Sequence, residues 1–286
     1  KKWKKLLSDK RNTRELPRLD DKSLTSWNAM MIKAYLNAYN ALGEENYLKA
    51  ALKNAQFLKQ KQLQPNGQVF HSYKNNVSSI QGFAEDYAHL ISAYIKLYQS
   101  TLDQSWLDLS KKLMDYSIKH FLNKKNSMFY FTSNEVQNLI SRKTEVFDNV
   151  IPSSNSIQAI NLFNLGHYYY NENYSILSRQ ILSNINENIY ISPAAYTNWL
   201  ELYLNYVTPF YEVAITGKDA KNKLKKINEY FIPNKIVAGA TKENNLPLLK
   251  NKFVENMTLI YVCINGTCKM PLQQVGKALE LIKKNN

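Results

Sequence analysis

The stretch WNAMMIKAYLNAYNALGEENYLKAALKNAQFL, residues 27–58, holds two apolar rhythms separated by a turn. Apolar residues at Trp27, Met30, Met31, Ala34, Tyr35, Ala38, Ala41 and Leu42 keep the three-then-four spacing of one helix face. Thr25 or Ser26 can cap that helix, and Gly43-Glu44-Glu45 supplies a short turn. A second run through Tyr47, Leu48, Ala51, Leu52, Ala55 and Leu58 follows with the same period. The unit is a helical hairpin.

The unit recurs along the chain. Phe83, Tyr87, Leu90, Ile91, Tyr94 and Tyr98 make a first helix, Leu102-Asp103 a turn, and Trp106, Leu109, Leu113 and Ile118 a second helix. A third pair runs from Ile157 to Tyr168 and from Tyr174 to Ile189, and a fourth first helix is expected to start at Pro193, where proline suits the opening turn. Each second helix opens on a polar pair and an aromatic: Glu45-Asn46-Tyr47, Gln104-Ser105-Trp106 and Glu172-Asn173-Tyr174. The repeat of about 60 residues exceeds common solenoid units because loops are inserted between hairpins. Within those loops Val69–Tyr73 and Phe129–Thr132 alternate like short strands. After Pro209 the pattern changes to three short apolar strands, Glu212–Ile215, Lys235–Ala240 and Thr258–Cys263, with a helix between the first two and another from Gln273 to the end. The expected fold is therefore mainly α: a helical-hairpin (α/α) toroid over residues 1–209, incomplete in this chain, with a small α/β appendage over residues 210–286.

The chain has 286 residues, 44% of them hydrophobic, enough for one substantial core. No apolar run reaches the roughly 18 residues of a membrane span, and the opening charged segment is not a signal peptide. A start at Lys1 in mid-helix looks like a piece of a longer protein. The net charge of +14 sits at the two ends, +5 in residues 1–22 and +8 in residues 215–286, leaving the helical body nearly neutral. Without a basic stripe interleaved with stacking aromatics, nucleic-acid binding is not indicated, and solvated lysines explain the ends. The two cysteines, Cys263 and Cys268, flank a tight-turn pair, Asn265-Gly266. They read first as reduced structural thiols, next as a structural or regulated disulfide, and least as a metal site, because two ligands hold zinc poorly. No metal and no cofactor are expected. Gly-rich phosphate loops, HExxH and GxSxG are absent.

Three stretches concentrate polar and aromatic residues: Asp20 to Asn28, Gly82 to Tyr87, and Asp148 to Ser156. Each lies just before or at the start of a hairpin's first helix. If the first helices line a ring, their N-termini gather at one rim, where aromatic faces and carboxylates suit a polyhydroxylated ligand. Acid–base chemistry there would draw on Asp86 and Glu85 with Asp21, Asp148 and His89, and binding on Asp20, Trp27, Asn28, Tyr87, Ser153 and Asn155. Singly, each has a plainer role, since Asp and Ser before a helix cap it and acids in a first turn complement its dipole. His71, in a connecting strand, is the weaker histidine candidate.

The motifs DDKSLTSWN (20–28), GFAEDYA (82–88), PSSNS (152–156) and CINGTCKMP (263–271) occur in order along the whole chain. They resemble the C-terminal half of the spermatogenesis-associated, thioredoxin-domain-containing family. The resemblance implies an N-terminal thioredoxin-like domain and an (α/α)6 barrel similar to N-acylglucosamine 2-epimerases and six-hairpin glycosidases. This chain would lack the redox domain, the first barrel hairpins and the His-rich motifs carried there. Relatives often place an apolar aromatic at the position of His89. Two expectations follow: a barrel that binds, and isomerises or hydrolyses, a saccharide, or a non-catalytic platform for the thioredoxin-like domain and its thiol client, engaging Cys263 and Cys268. An open ring would expose apolar inner-helix faces and favour self-association.

Overall fold

In the computed structural model the described residues are 1–136 and 141–283. After an N-terminal helix, α1 (Lys2–Asn12), three helical hairpins follow, α2 (Thr25–Leu42) with α3 (Glu45–Phe57), α4 (Ala84–Thr101) with α5 (Gln104–Phe121) and α6 (Ser154–Tyr169) with α7 (Glu172–Ser183), and then a lone helix, α9 (Thr197–Val207), preceded by the short α8 (Asn186–Ile191). α2, α4, α6 and α9 stand side by side in that order, and α2, α4 and α6 are each backed by their own second helix. That is the two-layered wall of a helical-hairpin toroid. Turns end these helices as the sequence suggests: Gly43 closes α2 at φ 73°, a left-handed conformation that glycine adopts without penalty.

Core burial follows the periodic reading in α4 but not in α2. Tyr87, Leu90, Ile91, Tyr94 and Tyr98 are fully buried. In α2 the buried face is instead Thr25, Ser26, Ala29, Ile32 and Leu36, while Trp27, Met31 and Leu42 are exposed. The helix carries two apolar stripes of equal period, so periodicity alone selects a helix without selecting which stripe packs. Two boundaries also shift. The expected helix to Ile189 breaks after Ser183, and Pro193–Ala195 forms a single 3-10 turn, with α9 starting at Thr197.

A three-stranded sheet, β1 (Ser23–Leu24), β2 (Phe70–Lys74) and β3 (Val77–Gln81), lies at the N-terminal ends of α2 and α4. A π-helical turn, Leu58–Gln62, ends α3 and brings the Gln62 amide to Thr25 Oγ1 at 2.9 Å, while Thr25 donates to the Phe70 carbonyl at 2.6 Å. Those bonds fix β2 over the start of α2. The stretch Phe129–Thr132 makes isolated bridges to Leu122 and Thr144 rather than a ladder.

The appendage is a four-stranded sheet ordered β5-β4-β6-β7, from β4 (Tyr211–Thr216), β5 (Lys235–Ala240), β6 (Leu259–Ile264) and β7 (Thr267–Cys268). β4 and β5 run parallel through α10 (Ala220–Asn228), and α11 (Val275–Lys283) follows β7. The remainder of the helix expected after Gln273, residues 284–286, lies outside the described residues. One face of the sheet, Ala214, Ile236 and Ala238, joins the helical core, and the other, Tyr211, Val213 and Ile215, packs with α10 and α11. Tyr98 and Tyr168 stitch the two parts together, accepting from the Gly239 N–H at 3.3 Å and donating to the Val237 carbonyl at 3.0 Å. Cys263 and Cys268 face each other across β6 and β7 and are joined by a disulfide, which corrects the expectation of reduced thiols: the Asn265-Gly266 turn brings the two Cα atoms to 3.9 Å. No described helix is long and apolar enough to cross a membrane.

Candidate functional site

Gly82 is where the rim is assembled. Its N–H donates to the Val69 carbonyl at 2.7 Å, and a Cβ there would sit 2.7 Å from that same oxygen. Only glycine lets the chain leave β3 so close to the start of β2, which sets Phe83 to Asp86 directly against His71.

Asp86 is completely buried and carries the corner. It accepts from the Phe83 N–H at 2.9 Å, the reach-back bond of a capping box on α4, and from the Ser26 N–H in the first turn of α2 at 3.0 Å. Its Oδ2 also lies 2.9 Å from His71 Nδ1. With Nδ1 engaged, His71 Nε2 is the free nitrogen of a ring that remains partly accessible. The Asp86 hydrogen bond raises the His71 pKa above 6.5, partly offset by burial. Burial raises that of Asp86, opposed by its bonds to His71, Phe83 and Ser26.

Glu85 stands beside this pair, with Ser26 Oγ 3.5 Å from its carboxylate. Burial, then the charges of Asp86 and Glu145, push its pKa up. Aromatic faces flank the cluster: Phe83 meets His71 edge-on at 4.9 Å and stacks on Phe131 at 4.8 Å, and Trp27 is exposed next to Ser26. Ligand atoms of His71, Glu85 and Asp86 all fall within 4.8 Å of one another. Both Asp86 oxygens already accept hydrogen bonds, so the arrangement suits proton transfer better than metal ligation.

The other residues proposed from the sequence divide by location. Asp20 and Asp21 are exposed and pair with Lys22 and Lys74, pinning the approach to β1 and the end of β2. Asn28 spends its amide on the Leu24 carbonyl at 2.8 Å. Tyr87, expected at the ligand surface, is a core residue stacked on Tyr116, its hydroxyl accepting from Val69 N–H. His89 is buried and its pKa falls to about 4, through burial and then Lys33, so it is neutral near pH 7. Asp148 accepts from Ser153 N–H, Ser156 Oγ and Asn198 N–H, at 3.0, 2.7 and 2.8 Å. Ser153 caps α6 by accepting from the Ser156 N–H. Asn155 is buried and clasps the Phe129 backbone at both its N–H and its carbonyl, while also donating to the Glu145 carbonyl. These three build the α6 N-terminus and leave little for a ligand.

The partnership of Asp86 with His71 and Ser26 is the feature of this corner that local sequence patterns conceal. It spans 15 and 60 residues of chain, so no local spacing reports it. Glu145, coupled to Glu85, had no motif to mark it.

A model of the β-L-arabinofuranosidase GH127 catalytic domain matches residues 10–149, which include every residue of this corner. The chain is homologous to spermatogenesis-associated protein 20, at 25% identity to the human protein over 92% of this chain and 36% of that one. An uncharacterised Caenorhabditis elegans protein matches at 26% over 98% of this chain and 40% of its own length. The chain thus spans between a third and two fifths of these relatives. Among solved structures, a cellobiose 2-epimerase from Bacillus thermoamylovorans aligns over 57% of this chain and 44% of its own at 16% identity, with TM-score 0.48. The GH76 α-mannanase BT2949 of Bacteroides thetaiotaomicron aligns over 62% and 46% at 15%, also with TM-score 0.48.

Proposed function

We propose that the corner formed by Ser26, His71, Glu85 and Asp86 binds a saccharide and cleaves a glycosidic bond. The observation that carries this reading is the His71–Asp86 pair, closed on one side by a buried carboxylate and open on the other beside Glu85 and an aromatic wall. Glu85, held protonated to higher pH than a free carboxyl, donates its proton to the leaving glycosidic oxygen. His71, oriented by Asp86, accepts the proton of the attacking water. Phe83, Phe131 and Trp27 offer faces for the C–H side of a sugar ring. The match of residues 10–149 to a glycosidase catalytic domain supports the same reading. Turnover of an aryl glycoside panel that includes p-nitrophenyl β-L-arabinofuranoside tests it: Glu85→Gln should lose about 10²-fold or more in kcat. Turnover unaffected by Glu85→Gln and His71→Ala contradicts it.

A second reading has one observation behind it, the Cys263–Cys268 disulfide at the tip of the appendage. In that reading the helical body is a platform for a thioredoxin-like domain, and the first barrel hairpins, together with that domain, are its partners in a longer protein. Mixed-disulfide trapping with a thioredoxin carrying a single active-site cysteine separates the two. Capture that depends on Cys268 supports the platform, and a disulfide inert to thiol exchange in the folded chain removes its basis.

A further inference from the structure

β4, β6 and β7 set three side chains in a row on the face of the appendage sheet that meets the helical body. Glu212 of β4 stands directly opposite Cys263 of β6, and Cys263 directly opposite Cys268 of β7. Residues paired in this way point to the same face, with Cβ atoms about 4.5–5.5 Å apart. The neighbours show which face it is: Ala214 and Tyr261 pack into the helical core, while Val213 and Val262 pack with α10 and α11. The Cys263–Cys268 disulfide therefore lies beside a carboxylate that is itself buried.

That carboxylate belongs to a second histidine pair. Glu212 Oε1 lies 2.6 Å from Nδ1 of His167, in the last turn of α6. Its Oε2 accepts from the Gly266 N–H, in the turn between the two cysteines, at 2.9 Å, and the Tyr170 hydroxyl also bonds to it. Phe163 and Phe210 pack on the His167 ring at 4.5 and 5.0 Å, yet the side chain keeps 16% exposure, so its other nitrogen can exchange protons with water. Lys252 faces the same group, within range of the Glu212 charge and over the Tyr261 ring at 6.0 Å. Lys269 lies on the opposite face with Tyr211 and Val262. The two sulfurs are not equivalent, because Cys263 is fully buried and Cys268 only partly. An incoming thiolate reaches Cys268, so the sulfur that must leave is the buried one, where an unprotonated thiolate is costly.

We propose that Cys263–Cys268 is a thiol–disulfide exchange centre for a dithiol reductant, in which the His167–Glu212 pair supplies the proton to the departing Cys263 sulfur. One thiolate of the dithiol bonds to Cys268 Sγ, the Cys263–Cys268 bond breaks, and its electron pair leaves on Cys263, which takes the proton held by the pair. The second thiol of the reductant then attacks its own sulfur in the mixed disulfide, and Cys268 leaves and is protonated from water. Two electrons and two protons pass to the cysteine pair, and the dithiol closes to a disulfide. This activity needs neither a saccharide at the His71 corner nor a docked domain. Reduction of the folded protein by dithiothreitol, read by thiol alkylation and mass spectrometry between about pH 6 and about pH 9, tests it. Divided by the reagent's thiolate concentration, the rate constant should fall about tenfold as pH rises and the pair loses its proton. His167→Gln still donates to Glu212, and Glu212→Gln still accepts from Gly266, but neither pair holds a transferable proton. Both variants should be slower than the parent at the acid end and flat with pH. A pair that only braces the turn would give the opposite, faster reduction in both variants at every pH. That acceleration, a flat profile in the parent, or a reduction rate equal to the rate of global unfolding overturns the proposal. The last outcome alone also removes the basis of the platform reading, and none of the three bears on glycoside cleavage.

Discussion

Asp86 and Asp148 perform the same structural task at two neighbouring corners of the wall. Each accepts an N–H at the start of its own hairpin's first helix, Phe83 for Asp86 and Ser153 for Asp148, and a second N–H from the first turn of an adjacent inner helix, Ser26 of α2 and Asn198 of α9. The two carboxylates are staples between helix N-termini, placed where the dipoles of both helices favour negative charge. The corners then diverge. Around Asp148 the remaining acceptor capacity goes to Ser156, and Asn155 and Ser153 are spent on backbone. Around Asp86 the further partner is an imidazole that keeps one nitrogen for something else, with a second carboxylate alongside. A polar cluster at a helix start is thus an architectural device by default, and becomes a candidate site only where titratable groups remain uncommitted.

Substitutions can break this comparison. Losing Glu85 removes the proton donor and should produce the largest functional change, with thermal unfolding of Glu85→Gln within about 1 kcal/mol of the parent because the side chain is only half-buried. Among stability effects Asp86→Ala should be the most severe, about 3–5 kcal/mol by urea titration, since it strands the Phe83 and Ser26 N–H groups around a buried site and leaves His71 Nδ1 without its partner. Asp148→Ala, at a half-buried position, should cost about 1–3 kcal/mol and leave saccharide turnover intact. Equal costs for the two would mean that burial does not distinguish the corners. Ser153→Ala removes a single cap and should cost about 1 kcal/mol.

The smallest effect is a pH dependence. Because Asp86 raises the pKa of His71, their pairing contributes stability that is fully present below 6.5, the ordinary histidine value, and is lost as pH rises through the higher folded value. The difference in unfolding free energy between the parent and His71→Ala should therefore shrink as pH climbs above 6.5. A difference that grows with pH would reverse the assigned direction.

The hairpin architecture was legible because it is periodic: turn chemistry at Gly43 and the aromatic that opens each second helix mark the units without long-range information. The packing face of α2 was not, because Trp27, Met31 and Leu42 repeat as regularly as Ala29, Ile32 and Leu36, and only the neighbouring α4 decides between them. At the site, Glu85 and Asp86 were visible as acids in a first turn. His71 was not distinguished, since nothing within β2 reveals that a residue fifteen positions away will meet it. Tyr87 misled for the opposite reason: an aromatic beside a candidate acid looks like a ligand platform until the stacking on Tyr116 places it in the core.

The measurement that bears most directly on the central claim is saccharide binding, followed by thermal shift across monosaccharides, disaccharides and aryl glycosides, for the parent, His71→Ala and Ser153→Ala side by side. A stabilising sugar should act on the parent and on Ser153→Ala alike and lose its effect in His71→Ala. Loss in Ser153→Ala with retention in His71→Ala would place the site at the other corner and contradict the account.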